Sequence, residues 1–227
     1  MENNSSLWND KFPTLVKEGL GITLSKEKQE LFYRYYKELI NTNKELNLTA
    51  ITEANEVVVK HFYDSLLITK VLNLTKINSL IDIGSGAGFP GIPLKIVYPH
   101  LKLLLLEARN KKVVFLKSLI DRLPLEEVQA LHGRAEELQH NKEYAASFDL
   151  IVARAVARLT KLVAYTAGFL RVNGFFVAYK GPQVSEELLE LEEQFGNRLT
   201  IKVFKQALPL NAGERRLVRI QQAGKMN

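Results

Sequence analysis

The chain has 227 residues, 46% of them hydrophobic and 25% charged, with 31 Lys and Arg against 25 Asp and Glu. These are the proportions of an ordinary globular chain, and the absence of cysteine excludes disulfides, thiolate metal sites, Fe–S clusters and any cysteine nucleophile. The start, Met1 to Ser6, is neither basic nor apolar, and no run of about 18 uncharged apolar residues occurs, so neither a standard export signal nor a membrane span is expected, and a reducing cytoplasm suits the missing thiols.

Positions 1–20 are polar and irregular, with a lone Trp8 that can dock on the body, and predict a loosely held arm. From Ser25, an N-cap residue type, to about Asn41, the spacing of Leu31, Phe32, Tyr35, Leu39 and Ile40 predicts an amphipathic helix. Thr52 can cap a second helix on which Val58, Phe62, Leu66 and Thr69 recur, ended by Asn73. His61 and Asp64 on that helix read first as a hydrogen-bonded structural pair, with a catalytic pair as the alternative. Residues 1–75 thus form a helical extension, and residues 76–227 a separate region of different rhythm.

From Ser79 the short apolar runs 80–83, 101–106, 128–131, 148–153 and 175–179 alternate with helical segments at 110–121, 158–170 and 183–195. That alternation predicts βαβ units and a mostly parallel sheet covered on both faces. Runs 199–204 and 217–220 flank the turn Leu210-Asn211-Ala212-Gly213 without a long helix between them, which predicts an antiparallel terminal hairpin and seven strands in all.

The first strand runs into Asp82-Ile83-Gly84-Ser85-Gly86-Ala87-Gly88-Phe89-Pro90-Gly91-Ile92-Pro93-Leu94. Glycines let a backbone approach a ligand closely, and prolines open the following helix. The dinucleotide fingerprint would place glycine where Phe89 stands, so the spacing argues against NAD. S-adenosylmethionine (AdoMet) fits a loop that needs only close backbone approach. Glu107 ends the next strand, 19 residues after Gly88, where a carboxylate can accept from both ribose hydroxyls. After the third strand, Ala135 and Glu136 stand in position for an adenine.

After the fourth strand there is no Asp/Asn-Pro-Pro-aromatic group of the kind used for exocyclic amines, and without cysteine the covalent pyrimidine route is closed. A nucleophile with a free lone pair, such as a purine N7, needs positioning rather than a general base or a metal. The elimination leaves ribose and small-molecule acceptors open. Arg154 ends that strand inside the expected cleft, where it can hold a phosphate, a guanine edge or the AdoMet carboxylate; Arg158 follows as either a partner or a surface arginine. Lys180 ends the fifth strand on the same edge, and Arg215 or Arg216, entering the last strand, can grip RNA phosphate. Counted by thirds, the chain carries −1, +1 and +6, so the whole excess belongs to residues 151–227, where either a polyanionic partner or a solvated basic surface accounts for it.

These motifs, with Asn47-Leu48-Thr49, Lys60-His61-Phe62-Tyr63-Asp64-Ser65, Arg134-Ala135-Glu136-Glu137, Arg154-Ala155, Lys180-Gly181 and Gly213-Glu214-Arg215, resemble the bacterial small-subunit rRNA methyltransferase G family, also called glucose-inhibited division protein B, over about residues 24–222. The resemblance implies a class I AdoMet-dependent methyltransferase fold, α/β with a Rossmann-like seven-stranded sheet. It implies transfer of a methyl to N7 of one guanine of 16S rRNA near the decoding centre. In the family AdoMet contacts fall on the positions of Gly84, Phe89, Ala135, Glu136 and Arg154, to which the loop and the strand end add Gly86 and Glu107; RNA contacts would fall on Arg215, with Lys180 and Arg216 as further candidates. The implied partner is 16S rRNA or the small subunit, with no oligomer required. Two departures stand out: Thr42 replaces a common Trp before Asn-Leu-Thr, and Glu107 replaces a common Asp while keeping the carboxylate. A non-catalytic AdoMet-sensing RNA-binding regulator and a nucleotide-dependent oxidoreductase are the competing readings.

Overall fold

The computed structural model describes residues 6–223; the first five residues of the expected arm, and the start of the Met1 to Ser6 stretch, lie outside the described residues. The rest of that arm is not loose. A π-helical turn, Leu7–Lys11, leads into α1, Phe12–Leu20, which Gly21 stops with φ 70°. Leu7, Trp8, Phe12, Val16 and Leu20 form a stripe at helical spacing, and all five are buried. The polar residues between them obscured this stripe in the sequence.

Helix α2, Lys26–Leu46, starts where expected, with Ser25 Oγ accepting from Lys28 N–H, and runs about five residues past the expected end. Asn47 stops it in the left-handed region at φ 49°. Asn43 then pins the following turn, donating to the Thr49 carbonyl at 2.9 Å and accepting from its N–H at 2.8 Å. The next helix, α3 over 54–66, is irregular: an α-turn Ala54–Val57, a π-helical stretch Val58–Tyr63 and an α-turn Asp64–Leu66. Its N-cap is Glu53, with no side-chain cap bond, rather than Thr52. His61, in the π-helical stretch, and Asp64, in the turn after it, are both buried.

The strands are β1 Ser79–Ile83, β2 Lys102–Glu107, β3 Val128–His132, β4 Phe148–Arg154, β5 Leu170–Lys180, β6 Leu199–Ala207 and β7 Glu214–Gln222. They form one sheet in the order β3-β2-β1-β4-β5-β7-β6. The first five are parallel, and β7 inserts antiparallel between β5 and β6, as the alternation and the terminal turn predict. The order reverses between β1 and β4, which opens a crevice at the carboxyl ends of the strands. Strand β5 begins five residues earlier than expected because its pairing with β4 shifts register between Phe148 and Leu150.

Alternate strand residues face two cores. Leu80, Leu103, Leu105, Val152, Val177 and Leu217 pack against α1, α2, α3, α4 (Gly91–Val97) and α5 (Asn110–Arg122). Ile81, Leu104, Ile151, Phe176 and Val218 pack against α6 (Ala135–Leu138), α7 (Leu159–Thr166) and α8 (Ser185–Phe195). The first core is continuous from Leu7 to Leu217, so the amino-terminal helices and one face of the sheet bury the same apolar surface. Among the described residues no helix is long and apolar enough to cross a membrane.

Candidate active site

Strand β1 ends in the glycine loop. Gly84 and Ser85 donate to the Leu106 carbonyl of β2 at 2.8 and 3.2 Å, which folds the loop over the sheet edge. Gly88, at φ 100°, has no room for a side chain: a Cβ there would lie 2.8 Å from both Ile92 and the Tyr35 hydroxyl. Gly86, at φ 61°, is the opposite case. A Cβ there would meet only Lys112 Nζ at 3.8 Å and the Gly84 carbonyl at 3.9 Å, so this stretch of backbone is bare toward open space.

Beside it lies Glu107, buried at the end of β2. Its carboxylate accepts from Gly86 N–H at 2.9 Å and from Arg109 N–H at 2.8 Å, one bond per oxygen. Each oxygen keeps a lone pair for a further donor such as a ribose hydroxyl. Ala135 is buried and Glu136 half-buried at the start of α6, beyond the β3 end that Gly133 N–H ties to the Glu107 carbonyl at 3.1 Å. A bare glycine backbone, a carboxylate with spare acceptor capacity and a third strand end thus lie along one edge, and that set fits an adenosyl ligand. The Phe89 side chain is not part of this surface. Its ring stacks between Tyr35 and His61, with centroids 5.2 and 4.5 Å away, under the Arg154 guanidinium at 5.0 Å; only its main chain is left for a ligand.

The second half of the site is a cleft of about 360 Å³ whose lining includes His61, Arg154, Ala155, Tyr179, Lys180 and Arg215. It adjoins the glycine loop, since Val156 lies over Gly84: a Cβ on that glycine would come within 2.7 Å of the valine. Arg154 is largely spent within the protein. It donates to the Lys60 carbonyl at 3.0 Å, to Asp64 Oδ2 at 2.9 Å and to His61 Nδ1 at 3.2 Å. A guanidinium always donates, so His61 Nδ1 is the acceptor and its Nε2–H faces Thr49 Oγ1 at 2.8 Å. Burial, reinforced by Arg154, pushes the His61 pKa down to about 3, so the imidazole stays neutral. Tyr179 donates to the Ser65 carbonyl at 2.7 Å, and burial raises its pKa well above the usual phenol value.

The basic residues expected to meet RNA differ in how much of each is left over. Lys180 gives its ammonium to the Ala157 carbonyl at 2.6 Å and to Glu187 at 2.7 Å. Arg216 pairs with Glu214 at 2.8 Å, and Arg158 lies outside the cleft, paired with Glu186 and Glu190. Among the described residues Arg215 commits only Nε, to Asp64 Oδ1 at 2.8 Å, and keeps both terminal nitrogens. Asp64 and His61, read in the sequence as a helix-surface pair, are both buried: His61 lines the cleft, and Asp64 lies behind the lining arginines that it binds. Their spacing hinted at a pair; their arginine partners, 90 and 151 positions away, left no local trace.

A family model described as rRNA small subunit methyltransferase G matches residues 28–218. Curated relatives bearing the name ribosomal RNA small subunit methyltransferase G include one from Lachnoclostridium phytofermentans, 44% identical over 89% of this chain and 84% of its own length, and one from Carboxydothermus hydrogenoformans, 45% identical over 92% and 88%. Among solved structures the chain is similar to the O-methyltransferase TomG from Streptomyces achromogenes, described in complex with SAM, with a TM-score of 0.61 at 14% identity over 99% of this chain and 100% of that one. An rRNA methylase from Streptococcus thermophilus superposes with a TM-score of 0.51 at 16% identity over 71% and 95%. At these identities the structural likeness speaks for the fold, that of a class I methyltransferase.

Proposed function

The chain belongs to the rRNA small subunit methyltransferase G family, and from that premise we propose that it transfers the methyl group of AdoMet to N7 of one guanine of 16S rRNA near the decoding centre. The observation that carries the choice of a lone-pair acceptor is the state of the cleft. The side chains at the cleft that could take a proton are already committed: His61 is neutral with both ring nitrogens engaged, Tyr179 donates to a carbonyl, and Asp64, buried behind the lining, is held by two arginines. A purine N7 loses no proton when methylated, so it needs none of them as a base.

Gly84, Gly86, the main chain of Phe89, Glu107, Ala135 and Glu136 hold AdoMet in this reading. When bound, AdoMet supplies a methyl made electrophilic by its sulfonium. The chain's own work is positional. The glycine loop fixes the donor against the sheet edge, Val156 joins that loop to the cleft, and the arginines at the ends of β4 and β7 suit the anionic phosphates of the strand that carries the acceptor, whose base gains positive charge when N7 is methylated. Arg154 can reach a ligand only with the N–H groups it has left, Nε and one on Nη2. Among the candidates for RNA contact, Arg215 has the most donors to offer, and Lys180 and Arg216 contribute through the positive potential of their surroundings. The reading needs no membrane, no metal and no second subunit, and it places the protein with its substrate in the cytoplasm.

The test uses small subunits from a strain lacking this protein, mixed with purified protein and methyl-labelled AdoMet. Label at a guanine N7 is the expected result. Label on an exocyclic amine or a ribose would overturn the acceptor assignment, and AdoMet binding with no incorporation would favour a non-catalytic sensor.

A further inference from the structure

Asp64 is fully buried and sits between two cations from the ends of β4 and β7, 90 and 151 positions further along the chain. Its Oδ2 takes Arg154 Nη1 at 2.9 Å, and its Oδ1 takes Arg215 Nε at 2.8 Å. A buried carboxylate persists only where such partners compensate its desolvation. The two arginines are not equivalent. Three of Arg154's five N–H groups are consumed, by Lys60, Asp64 and His61, and its face lies on Phe89. Arg215 lines the cleft with one N–H consumed, and among the described residues its terminal pair, Nη1 and Nη2, has no partner. The motifs around Thr49, His61 and Asp64 that the cofactor half leaves unused converge on this triad.

We propose that Asp64 is a positioning residue: its carboxylate, locked by Arg154, aims the terminal nitrogens of Arg215 at a phosphate of the RNA strand that carries the acceptor base. This rests on the N7 reading above, which also selects phosphate over base. The common arginine contact with guanine takes O6 and N7 together, and a hydrogen bond to N7 would occupy the lone pair that must attack the methyl. Two parallel donors held at fixed orientation suit phosphate oxygens equally well. A carboxylate on AdoMet shares that anionic chemistry, so AdoMet and RNA affinities are measured separately.

Charge and positioning predict opposite signs for Asp64→Asn. The substitution removes a negative charge from a basic cleft, so if charge alone mattered the polyanion would bind more tightly. Positioning instead predicts weaker binding of small subunits, by about tenfold, with AdoMet affinity within about twofold of the unsubstituted protein. Arg215→Ala should weaken subunit binding similarly and reduce the slope of log affinity against log salt by about 0.7 to 0.9, the loss of one phosphate contact. In the double variant, Asp64→Asn should add nothing to the loss from Arg215→Ala. Should Asp64→Asn fail to fold, shown by lost AdoMet binding, Arg215→Lys decides. It keeps the charge and a partner for Asp64 but has no fork left over, and it should bind subunits as poorly as the alanine variant. Unchanged or tighter subunit binding by Asp64→Asn, full additivity in the double variant, or normal binding by Arg215→Lys would each overturn the proposal. Absence of N7 labelling by the unsubstituted protein would instead remove the functional reading beneath it.

Discussion

At the scale of single residues the glycine loop divides into positions that serve packing and positions that serve a ligand. Gly88 is surrounded by Ile92, Tyr35 and Leu116, whereas Gly86 faces open space. Gly88→Ala is therefore expected to destabilise the fold by several kcal/mol, as overpacked and strained positions do. Gly86→Ala should cost only about 1 kcal/mol of backbone strain and yet lower AdoMet affinity more than tenfold, because the added methyl stands where the ligand must approach. Calorimetric titration beside a denaturation curve separates the two; a Gly86→Ala variant with normal AdoMet affinity would remove this loop from the cofactor site. Asp82, one strand residue before the loop, carries a different signature. Its Oδ2 accepts from Gly91 N–H at 2.8 Å while buried Oδ1 has no partner among the described residues, and burial pushes its pKa up to about 7. The unfolded chain ionises near 4, so the stability this residue permits is full below that pH and falls as pH rises through 7, by an amount on the order of 4 kcal/mol. His61, with its pKa depressed, acts in the other direction: stability is lost as pH falls from about 6.5 toward 3. The clean readout is a difference. The stability of Asp82→Asn minus that of the unsubstituted protein should grow from about pH 4 to pH 7, and a flat difference would show that Asp82 is not strained by its burial.

At the scale of elements, local rules carried far where partners are close in sequence. The strand runs, the Ser25 cap, the glycine loop and the terminal hairpin are all settled within about a dozen residues, and the structure has them. What the sequence hid depends on contacts between distant segments. Trp8 and Phe12 look like isolated aromatics in a polar arm until Phe32, Tyr33, Tyr36 and Phe62 are packed round them. Asp64, just after the π-helical stretch of α3, likewise finds its partners in Arg154 and Arg215, 90 and 151 positions away. The arm's helix should then contribute like a core element. Phe12 is fully buried, with ring centroids 5.0 Å from Phe32 and 6.0 Å from Phe62, so Phe12→Ala should lower unfolding free energy by about 3 to 5 kcal/mol in a denaturant titration. A loss below about 1 kcal/mol would restore the view of a loosely attached arm.

Over the whole molecule, the +6 that the sequence concentrates in its last third does not become a uniform basic face. Arg158, Arg171, Lys180 and Arg216 are each paired with an acidic neighbour, and exposed Lys202 and Lys205 lie on the edge strand β6, where charge discourages strand addition. The excess matters most where the pairing is incomplete, at one carboxylate shared by Arg154 and Arg215. That shared carboxylate belongs to α3, and the stack of Tyr35, Phe89 and His61 joins the same helices to the glycine loop, so the division at residue 75 separates two styles of sequence within one packed core. A single core predicts a single transition. The chain's one tryptophan makes this measurable, because Trp8 is buried in that core against Phe12, Tyr36 and Phe62 of the amino-terminal helices. Its fluorescence and the far-ultraviolet circular dichroism of the sheet should give the same denaturation midpoint. AdoMet at a hundred times its dissociation constant should raise both together, by about 2.7 kcal/mol. If Trp8 instead loosened at lower denaturant, or failed to move with AdoMet, residues 1–75 would be a separately folding unit, and Asp64 would meet Arg154 and Arg215 only where that unit docks on the sheet.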